Sequence, residues 1–165
     1  MKLGIMSDSH GRAKQVRRAL AVLDQARAEA FIHCGDVGSL EVLEELAGRK
    51  CWFVWGNTDY PHPNWRAAVE AIGLTWPEGR TEFVLAGKRI AVFHGHERVF
   101  HQAVTSGQYD YVLHGHLHQC SDLRAGSTRV INPGALYRAG LHTVAVLDLE
   151  TDQLDFIDID QQTQT

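Results

Sequence analysis

The chain has 165 residues, of which 44% are hydrophobic and 22% charged, a balance that fits one globular domain with a sizeable core. Its formal net charge of −4 excludes a nonspecific nucleic-acid binder, which needs a basic surface; no stable nucleic-acid binding is expected. No apolar run reaches the length of a membrane span, and the apolar part of "MKLGIMSDSH" is too short for a secretory signal, so no membrane partner is expected.

The first half alternates between strand and helix patterns. "KLGIM" reads as a short buried strand, and "RAKQVRRALAVLDQARAEA" places Val16, Leu20, Leu23 and Ala26 at helical spacing. "AFIHC" is a second strand, "LEVLEELAG" a helix stopped by Gly48, and "CWFVW" a third strand. Repeats of this length imply right-handed crossovers and a parallel sheet. "GNTDYPHPN" is rich in turn formers and predicts a loop, with a short helix over "WRAAVEAIG". "TEFVLAGKRIAVFH" reads as two strands around an Ala-Gly-Lys turn. A helix over "ERVFHQAVTSG" then leads to the strand "YVLHG". Finally "CSDLRAGSTRVINPG" and "HTVAVLDLETDQLDFIDI" predict hairpins turning near Gly126 and Thr151. The expected fold is α/β: two stacked mixed β-sheets flanked by helices, parallel early and antiparallel late. One domain covers residues 1–160, and the polar tail at 161–165 is expected to fray.

The three cysteines, Cys34, Cys51 and Cys120, are odd in number and form no C-x-x-C pair. A disulfide framework is therefore not expected, and a reducing, cytoplasmic setting is. Histidine is the unusual residue, with ten copies.

Five apolar strands each end in a short polar motif. They are Ser7-Asp8-Ser9-His10, Gly35-Asp36, Gly56-Asn57-Thr58-Asp59, His94-Gly95-His96 and His114-Gly115-His116-Leu117-His118. Singly they are weak; G-N-x-D, for example, is a good turn sequence in its own right. Together they are specific, because functional groups of α/β sheets gather outside the carboxyl ends of the strands. If the last strand continued, its every-second spacing would turn His114, His116 and His118 to one face; a polar strand face is the plain alternative.

Asp, His and Asn without thiolate suit divalent ions such as Mn, Fe, Zn or Ni. The ligands are too many for one metal, and a carboxylate between two ions, with Asp36 the natural choice, can bridge them. Two divalent ions set against Asp8 and Asp36 leave the site electropositive, since His and Asn coordinate as neutral groups. Such a site lowers the pKa of bound water and attracts a phosphoryl anion.

The ordered series D-x-H, G-D, G-N-x-D, H-G-H, G-H-x-H resembles the calcineurin-like metallophosphoesterase superfamily. The closest branch is its small single-domain phosphodiesterases of bacteria and archaea, to which "NPGAL" at 132–136 is also similar. The resemblance implies a four-layer β-sandwich fold. It implies a first metal held by Asp8, His10, Asp36 and His118, and a second held by Asp36, Asn57, His94 and His116. The expected cofactor is therefore two divalent transition-metal ions, with Mn first and Ni, Fe, Zn or Co as alternatives. The implied activity is hydrolysis of a small phosphodiester by in-line attack of a metal-bound hydroxide. The noncatalytic retromer subunit of the same fold offers the alternative of a protein-binding scaffold. The oligomeric state is open, a homo-oligomer included.

His114 matches no ligand of the pattern and reads as a strand-end histidine with a satisfied hydrogen bond; Gly115 and Leu117 are read as letting the backbone turn between ligands. Many relatives have a histidine, the leaving-group acid, where this chain has Thr58. Asp59 is expected to orient groups or hold Asn57, with a plain turn role as the alternative; Asn57 is expected to contact substrate, and His96 either to do the same or to support the residues that do. Arg12, Arg98 and Arg138 sit in loops beside the crevice, where a guanidinium can reach a phosphate. Arg138 is the first candidate, and a solvated surface role is the alternative for each. His33 and Cys34 read as packing residues, as do Trp52 and Trp55, while Trp65 and Trp76 are candidates to line a pocket or an interface.

Overall fold

The structure is a computed structural model that describes residues 1–161; apart from residue 161, the tail expected to fray lies outside the described residues. Strand β1 (Lys2–Met6) is followed by α1 (Ala13–Gln25), β2 (Ala30–His33), α2 (Leu40–Glu44), β3 (Cys51–Phe53) and α3 (Trp65–Ala71). Then come β4 (Thr81–Leu85), β5 (Lys88–Val92), α4 (Phe100–Thr105), β6 (Tyr111–Leu113), β7 (Cys120–Ala125), β8 (Thr128–Pro133), β9 (Thr143–Asp148) and β10 (Leu154–Asp158). One five-stranded sheet runs β10-β9-β1-β2-β3 and the other β4-β5-β6-β8-β7.

Alternation along the strands builds the layers, because successive side chains face opposite sides of a sheet. Leu3 and Ile5 of β1, Ile32 of β2, Ile90 and Val92 of β5 and Leu113 of β6 share one buried cluster between the two sheets. The alternate residues Met6, Phe31, Val144 and Val146 face outward onto Val16, Leu20 and Leu23 of α1 and onto Val42 and Leu43 of α2. On the far side of the second sheet, Ala91, Val112 and Val130 pack against Ala103 of α4. Helix, sheet, sheet and helix thus stack as four layers, as expected.

Three details differ from the sequence reading. Helix α1 stops at Gln25 rather than running on toward residue 30. Arg27 adopts a left-handed φ of 64°, Ala28 N–H donates to Leu23 C=O at 2.9 Å, and Arg27 N–H donates to Asp24 C=O at 2.9 Å. That closure ends the helix and frees Ala30 to pair with Leu3. Helix α4 is also shorter, because the Glu97 carboxylate accepts from the N–H groups of His94 and Gly95, both at 2.7 Å. The second sheet is not simply antiparallel: β5, β6 and β8 run parallel, with β4 and β7 antiparallel at its edges. A local hairpin pattern shows that β7 and β8 pair, but not that β8 also lies beside β6.

Candidate metal centre

The loops after β1, β2, β3, β5 and β6 meet at one end of the sandwich. Asp8 N–H donates to Gly35 C=O at 3.0 Å and His10 N–H to Asp36 C=O at 2.8 Å, lacing the first loop to the second. Gly115 N–H donates to His94 C=O at 2.9 Å, and His116 N–H reaches Asp8 Oδ2 at 3.1 Å, which joins the two sheets.

Nine described non-glycine residues have positive φ, and six of them, Asp8, His10, Asp36, His116, His118 and Arg138, belong to this site. Left-handed backbone is unfavourable for side-chain-bearing residues, though Asp and His tolerate it best, and the strain is of order 1–3 kcal/mol each. Glycine serves another purpose. A Cβ on Gly115 would overlap Ser7 Oγ and Asp8 Oδ2, and one on Gly56 would overlap Asp36 Oδ1. Gly115 is therefore required by close approach. The turning is done by His116 and His118, at φ 71° and 54°, and not by Gly115 and Leu117 as the sequence suggested. Because β6 ends at Leu113, strand alternation does not aim the three histidines either.

Asp8, His10, Asp36 and His118 offer donor atoms that all lie within 4.8 Å of one another. His118 Nδ1 lies 3.2 Å from Arg138 C=O, so this nitrogen carries the donated proton and Nε2 keeps its lone pair. That Nε2 is 3.1 Å from Asp8 Oδ1 and 3.4 Å from His10 Nε2. Asp8 is fully buried and its Oδ1 makes no hydrogen bond among the described residues. A buried carboxylate oxygen facing an imidazole lone pair is costly unless a cation lies between them. The donor set fits a divalent metal.

A second set surrounds the other oxygen of Asp36. His94 Nδ1 donates to Cys34 C=O at 2.8 Å, and its Nε2 lies 3.0 Å from Asn57 Oδ1 and 3.5 Å from Asp36 Oδ1. Three acceptors around one point demand a positive charge. A proton meets part of that demand: burial is the largest single influence and opposes charging His94, but its hydrogen bonds to Asp36 and to Cys34 C=O, with the charges of Asp36 and Asp8, together outweigh it and the pKa rises. A metal ion would answer it equally. The His116 ring lies beside this set, 5.0 Å from the His94 ring. Asp36 Oδ2 meanwhile lies 3.5 Å from His10 Nε2, so one carboxylate faces both sets. Burial alone would raise the Asp36 pKa, but the His94 bond and the Thr58 N–H at 3.0 Å hold it well below the usual carboxylate range. His10 is shifted down, chiefly by burial, which favours the neutral ring that a metal requires.

The remaining residues fall into place around these two sets. The Asp59 carboxylate accepts from Val37 N–H at 3.0 Å, Gly38 N–H at 2.7 Å and Gly56 N–H at 2.8 Å. It thereby ties the loop bearing Asp36 to the loop bearing Asn57. His114 is buried, with Nδ1 donating to Gly115 C=O at 3.1 Å and its pKa pushed down to about 4 by burial. His96 is exposed beside the second set, 5.4 Å from the His94 ring. Arg98 is exposed and, among the described residues, pairs with no carboxylate. His33 and Cys34 are fully buried behind the site. Trp55, just beyond β3, packs on Phe53 at 5.0 Å, Trp76 at 5.1 Å and Trp65 at 6.3 Å. Trp76 lines a surface cavity together with Trp52.

Three contributors escape the sequence reading. Glu97 holds the His94 loop, Asn132 donates to Gly115 C=O at 2.7 Å, and Tyr137 sits 6.0 Å from the His10 ring. Glu97 follows H-G-H directly, and a carboxylate there is a natural acceptor for loop N–H groups. Asn132 opens the "NPGAL" stretch, which by itself assigns no role to any single residue, and Tyr137 carries no local signal.

The calcineurin-like phosphoesterase superfamily domain matches residues 1–152. A phosphodiesterase of Methanocaldococcus jannaschii is 30% identical over 158 residues, covering 91% of this chain and 94% of that protein. A solved archaeal phosphodiesterase superposes with a TM-score of 0.85 at 29% identity, over 96% of this chain and 99% of the other. Vps29 of Entamoeba histolytica, solved with zinc, has a TM-score of 0.66 at 16% identity, over 96% of this chain and 99% of that one, and shares the fold. The chain belongs to the calcineurin-like phosphoesterase superfamily.

Proposed function

We propose that this superfamily member is a metal-dependent phosphodiesterase acting on a small phosphodiester and holding two divalent transition-metal ions. The observation that carries the reading is the Asp36 carboxylate, whose two oxygens face two separate histidine sets at 3.5 Å. Asp8, His10, Asp36 and His118 would hold one ion, and Asp36, Asn57, His94 and His116 the other. Such ions supply Lewis-acid polarisation of the phosphoryl oxygens and a lowered pKa for a coordinated water. Manganese is the expected ion, and the all-N/O donor set also admits Ni, Fe, Zn or Co.

The chain's own residues do the rest. Asp59 fixes the relative position of the two ligand loops through its three N–H bonds. His96, exposed at the rim, and Asn57 contact the diester, and Arg138 contributes positive charge. Thr58 has no proton to give near neutral pH, which favours substrates whose leaving group departs unaided. A scaffold role rests on lost ligands, and here every ligand position is filled. An intracellular setting is part of the reading and rests on three unpaired cysteines.

The test is a metal analysis joined to an assay. Protein stripped by chelator and reloaded with Mn, Ni or Co should bind two ions per chain and regain hydrolysis of bis(4-nitrophenyl) phosphate. At most one weakly held ion, with full activity in chelator, would overturn the proposal.

A further inference from the structure

Arg12 and Arg138 converge on one aromatic ring beside the metal centre. Arg12 donates to the Tyr137 hydroxyl at 2.8 Å, and its guanidinium carbon lies 4.3 Å from the ring centroid. The Arg138 guanidinium lies 5.5 Å from the same centroid. The unit is anchored to the site from two directions: Tyr137 packs edge-on to His10, and Arg138 C=O accepts from His118.

Most arginines of this acidic chain are paired, among them Arg17 with Glu45, Arg49 with Asp24, and Arg129 with both Asp122 and Asp152. Arg27 and Arg98 pair with no carboxylate among the described residues, but neither shares an aromatic ring with a second arginine. Among the described residues no carboxylate pairs with Arg12 or Arg138. Side by side they repel, and Tyr137 holds them together through its hydroxyl and the electron-rich face of its ring. Each guanidinium carries five donors, and the hydroxyl engages only one of them on Arg12. The others are free for an anion in the fork geometry that suits phosphate.

Charge counting says which anion. Two divalent ions less the charges of Asp8 and Asp36 already exceed the single negative charge of a diester. Two more cations at the rim are superfluous for that group and fit a substrate with additional negative charge.

We propose that Arg12, Tyr137 and Arg138 clamp a second phosphate, so that the preferred substrate is a phosphodiester with a further phosphate on one flank. The proposal rests on the phosphodiesterase reading for the reacting bond, but the clamp itself can be tested without turnover.

The manganese-loaded protein should be compared on TpT, pTpT and TpTp, which differ only in a terminal phosphate. At least one phosphorylated dinucleotide should exceed TpT in kcat/KM by about tenfold or more, the value of one charged hydrogen bond. Calorimetry should show a similar preference for thymidine 3′,5′-bisphosphate over thymidine 5′-monophosphate. In Arg12→Gln/Arg138→Gln both ratios should fall to within about twofold of one. Tyr137→Phe, which keeps the ring but releases Arg12, should lower them partway. Equal handling of all three dinucleotides by the wild type overturns the clamp, and so does a preference that survives both the double variant and Tyr137→Phe. Should the double variant fail to fold, an undiminished preference in Tyr137→Phe alone also overturns it. A retained bisphosphate preference without cleavage of any diester would overturn the phosphodiesterase reading and leave the clamp standing.

Discussion

Ser9 Oγ lies 2.8 Å from His33 Nε2, in a fully buried pair directly behind the candidate metal ligands. His33 Nδ1 accepts from Gly35 N–H at 3.3 Å, so the ring proton is on Nε2 and is donated to Ser9. Ser9 in turn donates to Val37 C=O at 3.1 Å. The chain of donors runs one way and needs a neutral imidazole. Burial brings the His33 pKa down to about 3.

Stability should therefore depend on pH in a definite direction. The unfolded ring titrates near 6.5 and the folded ring near 3, so between these values the unfolded state binds the extra proton. The contribution is fully present above pH 6.5 and lost as pH falls toward 3. Between pH 7.5 and 5 this group alone should cost about 2 kcal/mol. Urea unfolding in chelator measures the loss, which should shrink by about that amount in His33→Gln. Equal pH dependence in the two proteins would show that His33 is not the group responsible.

Asp36→Asn should release both metal ions together, because each carboxylate oxygen faces its own set of ligands. His114→Ala should keep the metal content of the wild type. It should lower stability by about 1–3 kcal/mol, since a buried ring packed at 4.9 Å on Phe100 is lost. Elemental analysis and thermal melts separate the two effects. If His114→Ala empties a site as fully as His116→Ala, the division of the three histidines is wrong.

Asp59→Ala removes an acceptor from three backbone N–H groups at once. A loss of about 2–4 kcal/mol is expected, together with weaker metal binding because the loops of Asp36 and Asn57 part. Asp59→Asn keeps one acceptor oxygen and should fall between. Metal titration followed by calorimetry reads both quantities, and wild-type metal affinity in Asp59→Ala would refute the positioning role.

Thr58 Oγ1 lies 3.5 Å from His10 Nδ1, so the position next to Asn57 adjoins the site. A positioned acid is typically worth about 10²–10⁴-fold in rate. Without one, the wild type should show a steep dependence of rate on leaving-group pKa and a preference for aryl diesters over matched aryl monoesters. Thr58→His should flatten that dependence, chiefly by helping basic leaving groups. A shallow dependence in the wild type, unchanged in the variant, would mean that another residue such as His96 already supplies the proton.

By itself the sequence determined the candidate donor types, the strand ends that carry them and the apolar strands, buried on both faces, from which the sheets are built. Each is a local property: an apolar run and the polar residue that ends it. Only the tertiary structure decided which loops meet. Arg12 and Tyr137 are 125 positions apart, and β8 reaches its parallel place beside β6 by a pairing that no local periodicity encodes. The left-handed turns at Asp8, Asp36, His116 and His118 are also tertiary in origin. Such conformations are unfavourable alone, and they persist because hydrogen bonds from neighbouring loops, and glycines where no Cβ fits, over-determine them.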